Sequence, residues 1–251
     1  VFPEPLSPTI EIVSLFFVVK SILFKTFIVS LLVWYLRLTF FNLRRVSMNK
    51  SFIIKIIVLC LVTIKVSAIE KIVLFGDSLM AGYGLNNEHH LSIVLQNKLV
   101  NNGYNIEIIN GSVSGSTSAG GLNRVGWSLS ESNIDLMILG LGANDMLRGI
   151  NPIETKKNLE KIIQISKQKN IAIILAGMIA PTTHGFSYKK KFDSIYPNLA
   201  KKYDLDLIPF LLEGVVLKPA LNQDDGIHPN AKGTLIIRDT LEKSIISFIK
   251  K

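Results

Sequence analysis

The sequence predicts an α/β fold, a parallel sheet of five strands with helices on both faces. Three observations predict it. Short runs suited to strands recur at 72–75, 104–110, 135–141, 171–176 and 205–209. Helical patterns alternate with most of them over short connections, as a parallel sheet requires. Glycine, serine, asparagine and aspartate gather directly after the first and third runs, at the edge where such sheets bind ligands.

Each element has a local reason. Ile72-Val73-Leu74-Phe75 is continuous, apolar and β-branched, as suits a strand buried on both faces. Gly76-Asp77-Ser78 ends it, and Gly82 and Gly84 keep the following backbone free of bulk. Leu91 to Asn102 carries apolar residues at helical spacing, and Gly103 stops it as a C-cap. Tyr104 to Asn110 reads as the second strand. Gly111 to Gly121, GSVSGSTSAGG, has no apolar period and is expected to be a loop lying against another part of the fold. Asp135 to Leu141 is the third strand, followed by Gly142-Ala143-Asn144-Asp145. Asn151-Pro152-Ile153-Glu154 announces a helix to about Lys169, with Asn as N-cap, Pro in the first position and Glu placed to close a capping box. Ile171 to Ala176 is the fourth strand, 188–203 a helix, Leu205 to Pro209 a short fifth strand, and Asn230 to Lys250 the closing helix.

Ahead of this body stand two apolar segments. The first runs from Ile10 to about Leu36 and is interrupted by Lys20 and Lys25. The second, Phe52 to Ile64, follows Met48-Asn49-Lys50 and precedes Val66-Ser67-Ala68. A basic start, a short apolar stretch and small residues at the cleavage positions form a secretory signal over 48–68. Residues 1–47 are expected to be upstream sequence from an early start. The alternative is a membrane anchor through 10–36, in which two lysines would be costly. The folded domain is then 69–251, and the protein is periplasmic or secreted.

The net charge of +9 is spread unevenly, and only about a third of it belongs to 69–251. With no Arg/Lys stripe interleaved with aromatics, nucleic-acid binding is not indicated. The single cysteine, Cys60, lies in the apolar leader, so the domain has no disulfide, cysteine-ligated zinc or cysteine nucleophile. No cluster of ligand residues at metal spacing predicts a metal site. No Walker loop or G-x-G-x-x-G follows a strand, and no cofactor is expected.

Chemistry is signalled near the C-terminus, at Asp224-Asp225-Gly226-Ile227-His228-Pro229. A carboxylate three residues before a histidine, with Gly between and Pro after, makes a rigid turn. Asp225 can then hold one ring nitrogen of His228 while the other faces outward. Serine catalysis needs this, because a hydroxyl is a poor nucleophile until a base held in the right tautomer takes its proton. Ser78, at the end of the first strand, is the candidate partner. His89 and His90 fall in a polar stretch and are expected to be solvated. His184, in Pro181-Thr182-Thr183-His184-Gly185, is placed at a pocket rim with no adjacent carboxylate.

Taken together, GDSL at 76–79, the loop Asn110–Gly115, GAND at 142–145 and DGIHP at 225–229 resemble, in order, the blocks of the SGNH (GDSL) hydrolases. The resemblance spans nearly all of 70–251 and is closest to the periplasmic bacterial thioesterase, lysophospholipase and arylesterase branch. It implies a three-layer α/β/α sandwich with flavodoxin-like strand order, and a serine esterase or thioesterase working through an acyl-enzyme. Ser78 would be the nucleophile, His228 the base and Asp225 its orienter. The backbone N–H groups of Ser78 and Gly115 and the amide of Asn144 would form the oxyanion hole. The implied partner is a small acyl-ester or lipid-derived substrate. A monomer is expected, with transient contact to a membrane surface. The segment Pro181-Thr182-Thr183 departs from the Pro-Pro-Asn-like loop of that branch, which bears on substrate preference. Two alternatives stand beside this reading: a carbohydrate-ester deacetylase on the same scaffold, and a non-catalytic flavodoxin-like binding domain, which would not need Ser, Asn, Asp and His together.

Overall fold

The structure, a computed structural model, describes residues 69–130 and 133–251. The expectations for 1–47 and 48–68 lie outside the described residues. Five strands form one sheet: β1 (Lys71–Gly76), β2 (Glu107–Asn110), β3 (Leu136–Gly140), β4 (Ala172–Ala176) and β5 (Asp206–Ile208). Their spatial order is β2-β1-β3-β4-β5 and every pairing is parallel. The order reverses between β1 and β3, so the crevice outside their carboxyl ends is the switch point of the sheet. Residues 76 and 140 are paired there, which brings the segments that follow them side by side.

The strand interiors are apolar because helices cover both faces. Every residue of β3 is buried, and Ile72 to Gly76 are buried in β1. Truncating one of these, such as Ile138, would cost about 2–5 kcal/mol. One layer holds α2 (Leu91–Asn101) against α8 (Ala231–Ile249). The other holds α3 (Ser118–Ser128) against α5 (Pro152–Gln168), with α6 (Phe186–Asp193) and α7 (Ile195–Tyr203) beyond. Two further helices are short, α1 (Ser78–Ala81) after β1 and α4 (Ala143–Leu147) after β3.

Element ends shift by up to three residues, as where β2 begins at Glu107 rather than Tyr104, and the sequence reading differs from the structure in four further places. The loop expected over 111–121 ends at Thr117, which caps α3 by accepting from the Gly120 N–H. This helix has a weak apolar period because two glycines, Gly120 and Gly121, open it. Residues 188–203 are two helices, broken at Ser194, whose hydroxyl donates to the Lys191 carbonyl. Asn151 caps α5 through the Ile153 N–H as expected, but Glu154 turns to Lys157 at 3.9 Å. His90 is half-buried rather than solvated, its ring 3.2 Å from the Leu85 carbonyl.

Candidate active site

The carboxyl ends of β1 and β3 supply the first part of the site. Asp77 caps α1: its Oδ1 accepts from the Leu79 N–H at 3.1 Å, and the residue is fully buried. Ser78 is therefore the first helical residue and its backbone N–H is among those left without an intrahelical partner. Its hydroxyl lies 2.9 Å from Nε2 of His228.

His228 arrives from a pinned turn. The Gln223 N–H donates to the His228 carbonyl at 2.8 Å, and Asn222 bridges Pro229. Gly226 takes φ of +69°, a left-handed conformation in which a side chain would be strained. Asp225 accepts three bonds from this turn. The Ile227 and His228 N–H groups reach Oδ1, both at 2.9 Å, and Nδ1 of His228 lies 2.6 Å from Oδ2. The backbone bond from His228, then its ring, then the Ile227 N–H hold the Asp225 carboxyl down at about 2. An acceptor of that kind keeps the proton on Nδ1. In the neutral ring, Nε2 is then left with a lone pair facing the Ser78 hydroxyl. The Tyr83 ring packs against this imidazole with centroids 4.5 Å apart.

Asn144 and Gly115 are the two remaining candidates. Asn144, in the first turn of α4, directs Nδ2 to the Ser116 carbonyl at 3.2 Å and to Oδ2 of Asp77 at 3.4 Å. Gly115 precedes Ser116 with φ of +77°. A β-carbon there would meet no heavy atom closer than 4.0 Å, so the space beside its backbone is open. The structure thus joins Ser78, His228 and Asp225 in one chain of contacts, and sets Asn144 of α4 against Ser116, next to Gly115.

Several residues around the site carried no signal strong enough to single them out. Asp77 is pushed up to about 6, chiefly by burial, with bonds from Leu79 and Asn144 opposing. Asp145 is buried and accepts from the Ser118 N–H at 2.7 Å, its hydroxyl at 2.5 Å and the Thr155 hydroxyl at 3.1 Å. Arg124 of α3 donates to the carbonyls of Gly111 and Gly76 and lies 3.9 Å above the Phe75 ring. It ties the ends of β1 and β2 together beneath the site, and burial lowers its pKa. The acids stand inside GDSL and GAND, where the sequence offers a signal. Arg124 offers none, since its partners are backbone atoms. His184 is exposed, 5.1 Å from the Tyr188 ring and away from the relay. Among the described residues no group of His, Cys, Asp and Glu could hold a metal ion.

Residues 74–235 match the GDSL-like Lipase/Acylhydrolase family. The chain belongs to that family. It is 35% identical to an arylesterase of Vibrio mimicus over 182 residues, covering 72% of this chain and 91% of that one. It is 36% identical over 187 residues to the Thioesterase 1/protease 1/lysophospholipase L1 of Escherichia coli (strain K12), covering 74% and 88%. A psychrotrophic esterase from Pseudoalteromonas, solved inhibited by monoethylphosphonate, superposes with a TM-score of 0.70 at 32% identity, covering 72% of this chain and all of that one. The family member described here is therefore an acyl-ester hydrolase on the α/β fold read from the sequence, acting on small ester substrates. No helix among the described residues is long and apolar enough to cross a membrane.

Proposed function

We propose that this GDSL-family hydrolase cleaves acyl esters and thioesters of lipid origin, lysophospholipids among them, and small aryl esters, through an acyl-enzyme on Ser78. The observation that carries the reading is the relay from Ser78 through His228 to Asp225, at 2.9 and 2.6 Å. His228 takes the Ser78 proton as Oγ attacks the acyl carbonyl. The oxyanion accepts from the Ser78 and Gly115 N–H groups and from the Asn144 amide. His228 then protonates the departing alcohol or thiol. In the second half it deprotonates the water that attacks the acyl-enzyme, then returns that proton to the Ser78 Oγ as the acid is released.

An apolar substrate is supported by the loops around the site. Tyr83, which packs on His228, is exposed, as are Val113, Leu147 and Ile227, which lie within three residues of Gly115, Asn144 and His228 in the chain. Sugar hydroxyls would need polar partners in those places, whereas an acyl chain would cover this surface. The leader pattern of 48–68 supports export, with Ile69 as the first mature residue. N-terminal sequencing of protein secreted from a start at Met48 tests that part.

The test of the chemistry is labelling with a fluorophosphonate, followed by turnover of nitrophenyl esters from acetate to decanoate. Ser78 should be the labelled residue, Ser78→Ala should not label, and medium-chain esters should turn over faster than acetate. Folded protein that does not label, or that labels elsewhere, overturns the reading.

A further inference from the structure

Gly115 poses a problem for any mechanism that uses its N–H. Glycine is the residue most free to rotate, and at 115 no side chain packs on it. The nearest heavy atom to a β-carbon built there is Nη2 of Arg148, at 4.0 Å. The turn is closed by the Ser116 N–H on the Val113 carbonyl and tied to β1 by the Val113 N–H on the Gly76 carbonyl, both at 3.1 Å, which leaves the Gly115 peptide between them to be fixed by its own carbonyl. Residue 148 closes α4, and its guanidinium donates from Nη2 to the Gly115 carbonyl at 3.1 Å. The same short helix grips the next residues in turn. Asn144 donates to the Ser116 carbonyl. Asp145 accepts from both the backbone and the hydroxyl of Ser118, and Asn158 of α5 holds that hydroxyl from the other side at 3.0 Å. Three residues of one helical stretch thus hold 115, 116 and 118.

We infer that Arg148 is a positioning residue of the oxyanion hole, acting through the Gly115 carbonyl, with Asp145 anchoring the far end of the same segment at Ser118. The inference rests on the serine-hydrolase reading and adds to it how two donors, the Gly115 N–H and the Asn144 amide, are kept in one geometry. Asn144 and Arg148 belong to the same helical stretch, so both donors are referred to α4 rather than to a free loop. Asp145 is a buried carboxylate that takes no part in the proton relay, and this anchoring accounts for it. Arg148 is exposed and makes no ion pair among the described residues. Its replacement leaves no buried charge behind.

The deciding variants are Arg148→Ala and Arg148→Lys, measured beside the unaltered enzyme on one nitrophenyl ester and by the rate of fluorophosphonate labelling. A phosphonyl oxygen occupies the same hole as the oxyanion, so both rates report it. Arg148→Ala should lower kcat about ten-fold and slow labelling in parallel, with KM within about two-fold, since a loosened hole costs less than a deleted donor. Arg148→Lys, which keeps a cationic donor, should recover most of the loss. An unchanged kcat in Arg148→Ala overturns the inference, as does a loss confined to KM, which would make Arg148 a substrate contact. Labelling of Ser78 in the unaltered protein tests the underlying reading separately.

Discussion

The Tyr83 ring packs against the imidazole of His228 with centroids 4.5 Å apart and planes tilted by 40°. The two residues belong to segments that Gln223 ties together, its amide donating to the Tyr83 carbonyl at 2.8 Å and to that of Pro229 at 2.9 Å. On the serine-hydrolase reading, an aromatic ring beside this one favours the imidazolium that would form as Ser78 loses its proton. An exposed contact of that kind is worth about 0.5–1 kcal/mol. Tyr83→Ala should therefore lower kcat about two- to five-fold, and Tyr83→Phe should leave it intact. Equal kcat for Ala and Phe variants would reduce Tyr83 to a covering residue.

The relay predicts a graded series. Ser78→Ala and His228→Ala should each remove turnover by at least about 10⁴-fold in protein that stays folded, since each removes a member of the proton path. Asp225→Ala should lose less, because it orients His228 and does not carry the proton. It also withdraws the acceptor of the Ile227 and His228 N–H groups; Asp225→Asn keeps one oxygen for them but turns a donor to Nδ1 of His228, so it measures the loss of the tautomer with the turn intact. The measurement is kcat per mole of protein, with circular dichroism for folding. A folded Ser78→Ala protein of full activity would end the serine-hydrolase reading.

These residues were legible because the chemistry repeats a short spacing. Asp225 and His228 share one turn, and Ser78 and Asn144 each follow an apolar strand. The strands were legible for the same reason: burial on both faces leaves runs such as Leu136 to Leu139 with no polar interruption. The helix at 118–128 was not, because its first turn is Ser-Ala-Gly-Gly and its fixing comes from Asp145, far along the chain. The supporting residues escaped on similar grounds. Arg124 and Arg148 act on backbone carbonyls, and a carbonyl has no identity in the sequence. Asp77 reads as a turn residue until the structure shows it fully buried against Asn144.

Asp77 makes a prediction about pH. Burial raises its carboxyl from 3.8 to about 6. The groups facing it are Asn144 and Asp145 of α4, His228 of the C-terminal turn and Arg124 of α3. A carboxyl raised in the folded state favours folding most below its unfolded value, near pH 4. That contribution is lost as pH rises through about 6, where the charge must form inside the protein. Asp77→Asn does not titrate. Its stability relative to the unaltered protein should therefore rise between pH 4 and pH 8, by up to about 3 kcal/mol from a shift of this size. Chemical denaturation of both proteins at the two pH values measures it. A stability difference independent of pH would show that folding does not raise the Asp77 carboxyl.

Asn144 has a bland alternative, that it merely forms the turn after β3. Its backbone argues against this. Asn144 lies within α4 and is not among the residues with positive φ, so no unusual conformation calls for asparagine. What the position uses is the amide, held between the Ser116 carbonyl and Oδ2 of Asp77. Both are acceptors, so Nδ2 rather than Oδ1 faces them and donates. If a hydrogen of this amide turns to the substrate oxygen, the bond strengthens only as negative charge forms there. Its loss should then fall on kcat and spare KM. One such donor is typically worth about 10²–10³ in rate, or roughly 3–4 kcal/mol of barrier. Asn144→Asp should be at least as damaging as Asn144→Ala, since a third carboxylate beside Asp77 and Asp145 would repel the oxyanion. Asn144→Ala should still label slowly with a fluorophosphonate, because Ser78 and His228 keep their contact. A folded Asn144→Ala protein within about three-fold of the unaltered kcat would leave the oxyanion to the Ser78 and Gly115 N–H groups alone.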